Sequence, residues 1–420
     1  MGHFRLPPAA RPLLLWTIMV TFVTLRPKPA KKGRIESIDF LRGSVMIIMA
    51  LDHVRDYFHN DAFLFSPTDL SRTSGILFFT RFITHYCAPV FLFLAGISAR
   101  LYGMKRSRKE LSFFLFSRGL WLVFVELFIL SLFRTFDPSY PFFNLQVIWA
   151  IGICMMVLSA LIYLSRRQIL LIGLVLIVAH NLLDPVHVPG NGVGAFLWSV
   201  LHQPGAFHLG HFTFSVKFPV MPWLGLMAVG YYFGDWYAPG CDPVRRRLLL
   251  FLLGYSTLTV FFILRIINGY GDPAPWSVQK NAFFTFLSFF NVSKYPPSLL
   301  YILITIGPAL LFLAFMEGPL NRWKSMVVVF GRVAMFYYLA HILLIHLFAL
   351  LAAVLSGYKA SDMVLSVGVD DSPQLKGYGF DLWVVYGVWI VLILVLYPLC
   401  KWFDRYKRAH QATKWWLSYL

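Results

Sequence analysis

An all-α, polytopic membrane protein with about ten transmembrane helices in one bundle is the fold class this sequence predicts. Three observations predict it. Hydrophobic residues make up 58% of the 420-residue chain and charged residues 13%, where a soluble domain carries about 25% charged residues. Apolar runs of about 20 residues, enough to cross a bilayer, recur along the chain. Lys and Arg gather in short clusters at alternate ends of those runs, which is a topology signal. The net charge of +18 therefore reads as membrane orientation, and no nucleic-acid partner is expected.

The elements follow in chain order. Residues 1–33 form an N-terminal extension whose apolar stretch, 13–25, lies between Arg11 and Arg26. That stretch is too short for an ordinary span and is expected to lie at the interface. The transmembrane domain is expected over 34–405, with spans at 37–58, 78–101, 112–133, 144–164, 168–184, 218–236, 247–268, 297–316, 327–352 and 381–402. Proline and glycine separate them at Asp137-Pro138, 185–189, Pro239-Gly240, Asp272-Pro273 and Pro296-Pro297. Basic clusters at 26–34, 100–118, 166–167, 245–247, 322–332 and 401–414 share one set of ends. The positive-inside rule then puts both termini in the cytoplasm and the protein in the cytoplasmic (inner) cell membrane. Residues 406–420 form a basic, aromatic tail. The four cysteines, Cys87, Cys154, Cys241 and Cys400, are scattered and spell neither a disulfide framework nor a zinc site. A homo-oligomer is compatible with this reading.

The first span carries the most chemistry. Arg42 and His53 are eleven positions apart, about three turns and roughly 16 Å of rise, so they share a helix face. Asp39, Met46, Met49 and Asp56 fall on the same stripe by the i+3/i+4 rule. Ionisable groups at bilayer depth are costly and normally face a bundle interior, where they mark a pathway or an active site. The plain alternative for Asp39 and Arg42 is a buried structural ion pair. For His341 and His346 it is a core histidine bonded to backbone carbonyls. Glu126, a carboxylate at mid-bilayer, calls for a cation, and Arg118 two turns earlier is the candidate. The connection 185–217 holds His187, His202, His208 and His211 among Gly and Pro, and is expected to cap the outer mouth as a lid with Trp198. His208 and His211 lack a third ligand, so no metal is expected. Lys105, Arg106, Arg108 and Lys109 would attract phosphates at the inner mouth.

A resemblance becomes specific at these residues. Arg42 and His53, with ten residues between them, preceded by Ile38-Asp39-Phe40-Leu41, resemble the signature of the type-3 membrane acyltransferases. The fuller string from Ser37 to Met49 more closely resembles the heparan-alpha-glucosaminide N-acetyltransferase-like family, a branch of the same superfamily. Pro89-Val90-Phe91-Leu92-Phe93-Leu94-Ala95-Gly96 is similar to that family's second-helix pattern. Tyr338-Leu339-Ala340-His341 is similar to its late-helix element. Val147 to Gly152, Met221 to Gly225 and Lys294 to Ser298 resemble bacterial members, so the likeness covers about residues 34 to 405.

The resemblance implies transfer of an acyl group, typically acetyl from acetyl-coenzyme A, to a sugar amine or hydroxyl across the bilayer. Such transfer needs a base, and His53 stands first. The lysosomal branch of the family uses a histidine a little downstream instead, so His59 and His85 stay open. Asp52 and Asp56 would orient the base as the third member of a triad does. Arg42, directly or through Asp39, would meet the coenzyme's phosphates. Tyr338, His341 and Arg81 are candidate donors to the tetrahedral oxyanion. A proton-coupled transporter or translocator of a sugar-containing substrate is the competing reading, in which the same stripe is a proton relay.

Overall fold

The computed structural model describes residues 35–317, 322–369 and 372–419. The apolar stretch 13–25 lies outside them. In chain order the elements begin with α1 (Glu36–Phe58), α2 (Gly75–Thr84), α3 (Cys87–Gly103) and α4 (Arg108–Phe124). A π-helical segment (Val125–Leu130) then leads into α5 (Ser131–Thr135), β1 (Phe142–Leu145), α6 (Val147–Leu161) and α7 (Arg166–Ala179). Next come α8 (Val193–Leu201), β2 (Gly205–Leu209), β3 (Phe212–Val216), α9 (Val220–Phe233), α10 (Pro243–Ile267) and α11 (Ala282–Phe290). The chain closes with α12 (Leu299–Phe315), α13 (Arg322–Arg332), α14 (Ala334–Leu355) and α15 (Leu382–His410).

Each expected span falls on helix. Among the described residues, six stretches are long and apolar enough to cross a bilayer on those grounds: Gly75–Gly103, Arg108–Thr135, Arg166–Leu183, Pro243–Ile267, Ala334–Leu355 and Leu382–His410. The charged residues of α1 keep it out of that set, and α6 and α12 are shorter apolar helices. Local sequence sets the starts. Ser107 with Glu110 and Ser165 with Gln168 close reciprocal capping boxes on α4 and α7. Asp242 caps α10 ahead of Pro243.

Three features depart from the expected pattern, one being that the span expected at 327–352 is two helices, α13 and α14, parted at Val333. The span expected at 78–101 is two helices, interrupted at His85 and Tyr86. Pro89 marks the break, because its missing N–H is tolerated in the first turn of α3 and not in a helix interior. The connection 185–217 is not a bare loop. It contains α8 and a hairpin whose β3 strand pairs antiparallel with β2 and parallel with β1. Its signal is the alternation Phe212-Thr213-Phe214-Ser215-Val216 after a turn at Gly210, where φ is +61°.

α1 runs through the middle of the bundle, packed by α2, α3, α12, α13, α14 and α15. Its crossing with α13 is backbone against backbone. A Cβ added at Gly331 would overlap the carbonyl oxygen of Asp39, and one at Gly43 the carbonyl of Val327. Small residues are what let membrane helices approach this closely. Gly387 in α15, by contrast, has nothing within 4 Å of an added Cβ.

Gly331→Ala is therefore expected to lower the unfolding temperature of the detergent-solubilised protein by several degrees, since overpacking costs about 1–3 kcal/mol. Gly387→Ala should leave it unchanged or raise it slightly, because Ala exceeds Gly in helix propensity by about 1 kcal/mol. Equal melting temperatures for the two variants would remove the α1–α13 crossing from this account.

Candidate functional site

The bundle has two unlike ends, and α1 joins them. At its N-terminal end the residues form a closed ionic network. Arg42 donates to Asp39 at 3.1 Å, to the carbonyl of Gly331 at 3.2 Å and to the hydroxyl of Ser98 at 3.1 Å, so one guanidinium ties α1 to α3 and α13. Arg332 lies 3.9 Å from Asp39 and 3.8 Å from Asp404, which in turn pairs with Arg408 of α15. The rigid fork of arginine suits three directed bonds at once.

At its other end α1 opens onto a cavity of about 730 Å³. Asp52, His53, Arg55 and Asp56 line it from α1, Arg81 and His85 from the α2–α3 break, and Arg134 from α5. Asn144 and Gln146 enter from β1 and its end, Lys217 from the residue after β3, and Asn291, Lys294 and Tyr295 from the connection between α11 and α12. The break between α2 and α3 is what lets a histidine turn inward at that depth. His85 is buried, its Nδ1 has no hydrogen-bond partner, and its ring packs on Tyr301 at 5.4 Å between centroids.

His53 faces this cavity with no hydrogen bond or ion pair among the described residues. Its ring is held by packing instead, 5.3 Å from His341 and edge-on to Tyr338 at 6.4 Å. The carboxylates expected to orient it are engaged elsewhere. Asp52 sits between Arg55, at 2.9 Å, and Arg81, with Lys294 4.0 Å away. Asp56 pairs with Arg55 at 2.5 Å. Residues adjacent along a helix point about 100° apart, and Asp52 makes no hydrogen bond to the ring beside it. His341, which like Tyr338 does not line the cavity, has its Nδ1 3.1 Å from the carbonyl of Tyr337 while Nε2 is buried without a partner.

His59 does not line the cavity. Its Nδ1 accepts from the backbone N–H of Asp61 at 3.2 Å, and its backbone bridges to Phe380, so it closes the end of α1. Burial outweighs the opposing pull of the Asp61 carboxylate and holds its imidazole below the ordinary histidine pKa. His346 packs in the core with ring nitrogens 2.9 Å from the carbonyls of Phe133 and Met363. Arg42 and Asp39 belong to the opposite end of α1 and do not line the cavity. Arg81, offered as an oxyanion donor, is committed to Asp52.

Glu126 has its cation, but it is Arg134 at 2.5 Å and not Arg118. The π-helical segment explains the miss: i→i+5 bonding turns the chain less per residue and brings Arg134 under Glu126. Glu126 also accepts from the backbone N–H of Trp149 at 3.0 Å, and Arg134 donates onward to the hydroxyl of Tyr338 at 3.2 Å. The residues expected to line a lid lie outside the cavity wall. Trp198 donates to the carbonyl of Val186, His202 pairs with Asp184 at 3.1 Å, and His208 bonds Asn191 and Thr213. Sequence reasoning missed Lys217 and Lys294, which come from connections, and Asn144, which comes from the four-residue strand β1.

Residues 34–265 match the family model described as heparan-alpha-glucosaminide N-acetyltransferase, catalytic. The matched stretch holds Arg42, His53, His85, Glu126 and Lys217, and stops short of Lys294, Tyr338 and His341. No curated protein matches the chain.

Breaking the Glu126–Arg134 pair should cost more than removing it. Arg134→Met is expected to destabilise by about 3–5 kcal/mol, because it leaves an uncompensated buried carboxylate. The double variant Glu126→Leu, Arg134→Met should recover part of that loss in a thermal melt. A double variant that melts below Arg134→Met would show that the two side chains do not act as a pair.

Proposed function

The chain belongs to the heparan-alpha-glucosaminide N-acetyltransferase catalytic family, and from that premise we propose that it is a membrane acyltransferase. It moves an acetyl group from cytoplasmic acetyl-coenzyme A to a sugar amine or hydroxyl held in the cavity, which opens on the outer face. The spans are ten, with both termini in the cytoplasm. The observation that carries this reading is His53: an imidazole with open ring nitrogens in a polar cavity, on the helix that leads to the basic end.

The acceptor nitrogen or oxygen attacks the thioester carbonyl, a C–N or C–O bond forms, and the C–S bond breaks. His53 takes the proton that the attacking group loses and returns one to the departing thiolate. His341 acts as a positioning residue. With Nδ1–H donated to the carbonyl of Tyr337, its Nε2 is left as an acceptor without a partner, in a ring that packs 5.3 Å from that of His53. Tyr338 accepts from Arg134, which leaves its hydroxyl proton for the oxyanion of the tetrahedral intermediate. His85 is the second candidate base, and its orphaned Nδ1 in the cavity wall supports keeping it. The coenzyme's phosphates meet the basic end, where Arg42 and Asp39 hold α1, α3 and α13 in place.

His53→Ala is expected to reduce transfer of labelled acetyl from acetyl-coenzyme A to glucosamine by at least 10³-fold, at the upper part of the range for a general base, with an unchanged melting temperature. Retained transfer in His53→Ala, with loss in His85→Ala, would move the base to His85. Absence of labelled product in the wild type, with pH-driven uptake of the sugar, would favour translocation over transfer.

Arg42→Lys is expected to leave activity far below wild type, since one ammonium cannot reach Ser98, Asp39 and the carbonyl of Gly331 together. Coenzyme A should bind Arg42→Ala at least ten-fold more weakly in a titration. Wild-type affinity in that variant would reduce Arg42 to a structural tie.

A further inference from the structure

α15 carries an exposed tryptophan near each end of its apolar stretch, Trp383 at 73% and Trp402 at 59%. They stand nineteen positions apart, roughly 28 Å along an α-helix. That is close to the ~30 Å thickness of a bilayer's hydrocarbon core. Tryptophan collects at both membrane–water interfaces. The pair marks the two edges of the bilayer on this helix, so the residues that follow Trp402 stand at headgroup depth.

Those residues form a recess. Lys401, Asp404, Arg405 and Arg408 share one face of α15 by the i+3/i+4 rule. With Val329 of α13 they line a cavity of about 530 Å³. Its charges do not cancel. Asp404 is buried and is shared by Arg408 and by Arg332, the latter 3.8 Å away. Arg332 also lies 3.9 Å from Asp39, whose carboxylate already accepts from Arg42. Among the described residues, two carboxylates thus serve three guanidiniums. Lys401 and Arg405 add two more cations to the recess, with no ion pair of their own among those residues. Lys401 stands 5.7 Å from the ring of Tyr397 instead.

A basic recess between membrane helices at headgroup depth fits an anionic lipid. Lysine supplies a point charge to its phosphate, and arginine a planar fork that can grip two oxygens. We propose that this recess binds the headgroup of an anionic phospholipid, its phosphate met by Lys401, Arg405 and Arg408. The lipid supplies the negative charge that the Asp39–Asp404 network lacks, and so stiffens the tie that Arg42 makes among α1, α3 and α13. On the topology proposed above, the lipid belongs to the cytoplasmic leaflet. The inference stands apart from the acyltransferase reading.

Titration of the purified full-length chain in neutral detergent with short-chain phosphatidylglycerol and phosphatidylcholine tests it. The anionic lipid should bind about ten-fold more tightly. That preference should vanish in the double variant Lys401→Gln, Arg405→Gln and survive in Lys401→Arg, Arg405→Lys. Both side chains are exposed, so neither exchange is expected to disturb folding. Inorganic phosphate and coenzyme A should not displace the bound lipid. The proposal is overturned if wild type shows no preference, or if the glutamine variant keeps it. Loss of the preference in the charge-retaining variant would also overturn it, because charge would then not be what is read. Displacement by inorganic phosphate or coenzyme A would assign the recess to a soluble phosphate and overturn it as a lipid site.

Discussion

The cost of charge in a low-dielectric bundle governs how this protein is built. α1 carries Asp39, Arg42, Asp52, His53, Arg55 and Asp56 through the centre of the bundle, and a lone charge there would cost several kcal/mol. The fold answers by surrounding α1 with helices that deliver the opposite sign or a polar cap: Arg81 from α2, Ser98 from α3, the Gly331 carbonyl and Arg332 from α13. His53 is the group left out of this mutual neutralisation.

The two ends of α1 solve different problems with the same helix. At the basic end Gly43 and Gly331 bring backbones together, so that Arg42 can reach three elements with one side chain. At the other end α1 opens onto the cavity. The π-helical segment, the α2–α3 break and the small sheet each add a local irregularity there. Irregular backbone at membrane depth is tolerated where it lines a polar cavity. These three line the cavity end, while the break at Val333 between α13 and α14 lies beside the Arg42 tie.

Much of this was legible in the sequence, and the boundary of legibility has a physical cause. Apolar periodicity found the helices, because the bilayer demands about 20 apolar residues per span whatever the tertiary context. Helical spacing also put Arg42, His53 and Asp56 on one stripe. Spacing failed where the helix was not α: the π turn moved the partner of Glu126 from Arg118 to Arg134, and Pro89 hid a break that an apolar run conceals. Asp52 and Asp56 looked like partners for His53 because sequence shows neighbours along a helix, while Asp52 is met by Arg81 from another helix and Asp56 by the adjacent Arg55. Lys217 and Lys294 sit in connections and Asn144 in a four-residue strand, where position depends on packing between distant segments.

The small sheet also decides which chemistry faces the cavity. Successive residues of a strand point to opposite sides. The strand that turns Asn144 to the cavity therefore turns Phe143 away, onto Phe214 of its neighbour with ring centroids 5.0 Å apart. The pairing Phe143↔Phe214 and Asn144↔Ser215 fixes that choice. A slip of one residue would put a phenyl ring where the amide stands and bury the amide against aromatics. Aromatic stacking on the far face of the sheet thus works as a register lock, and the polarity of the chamber depends on residues that never touch what enters it.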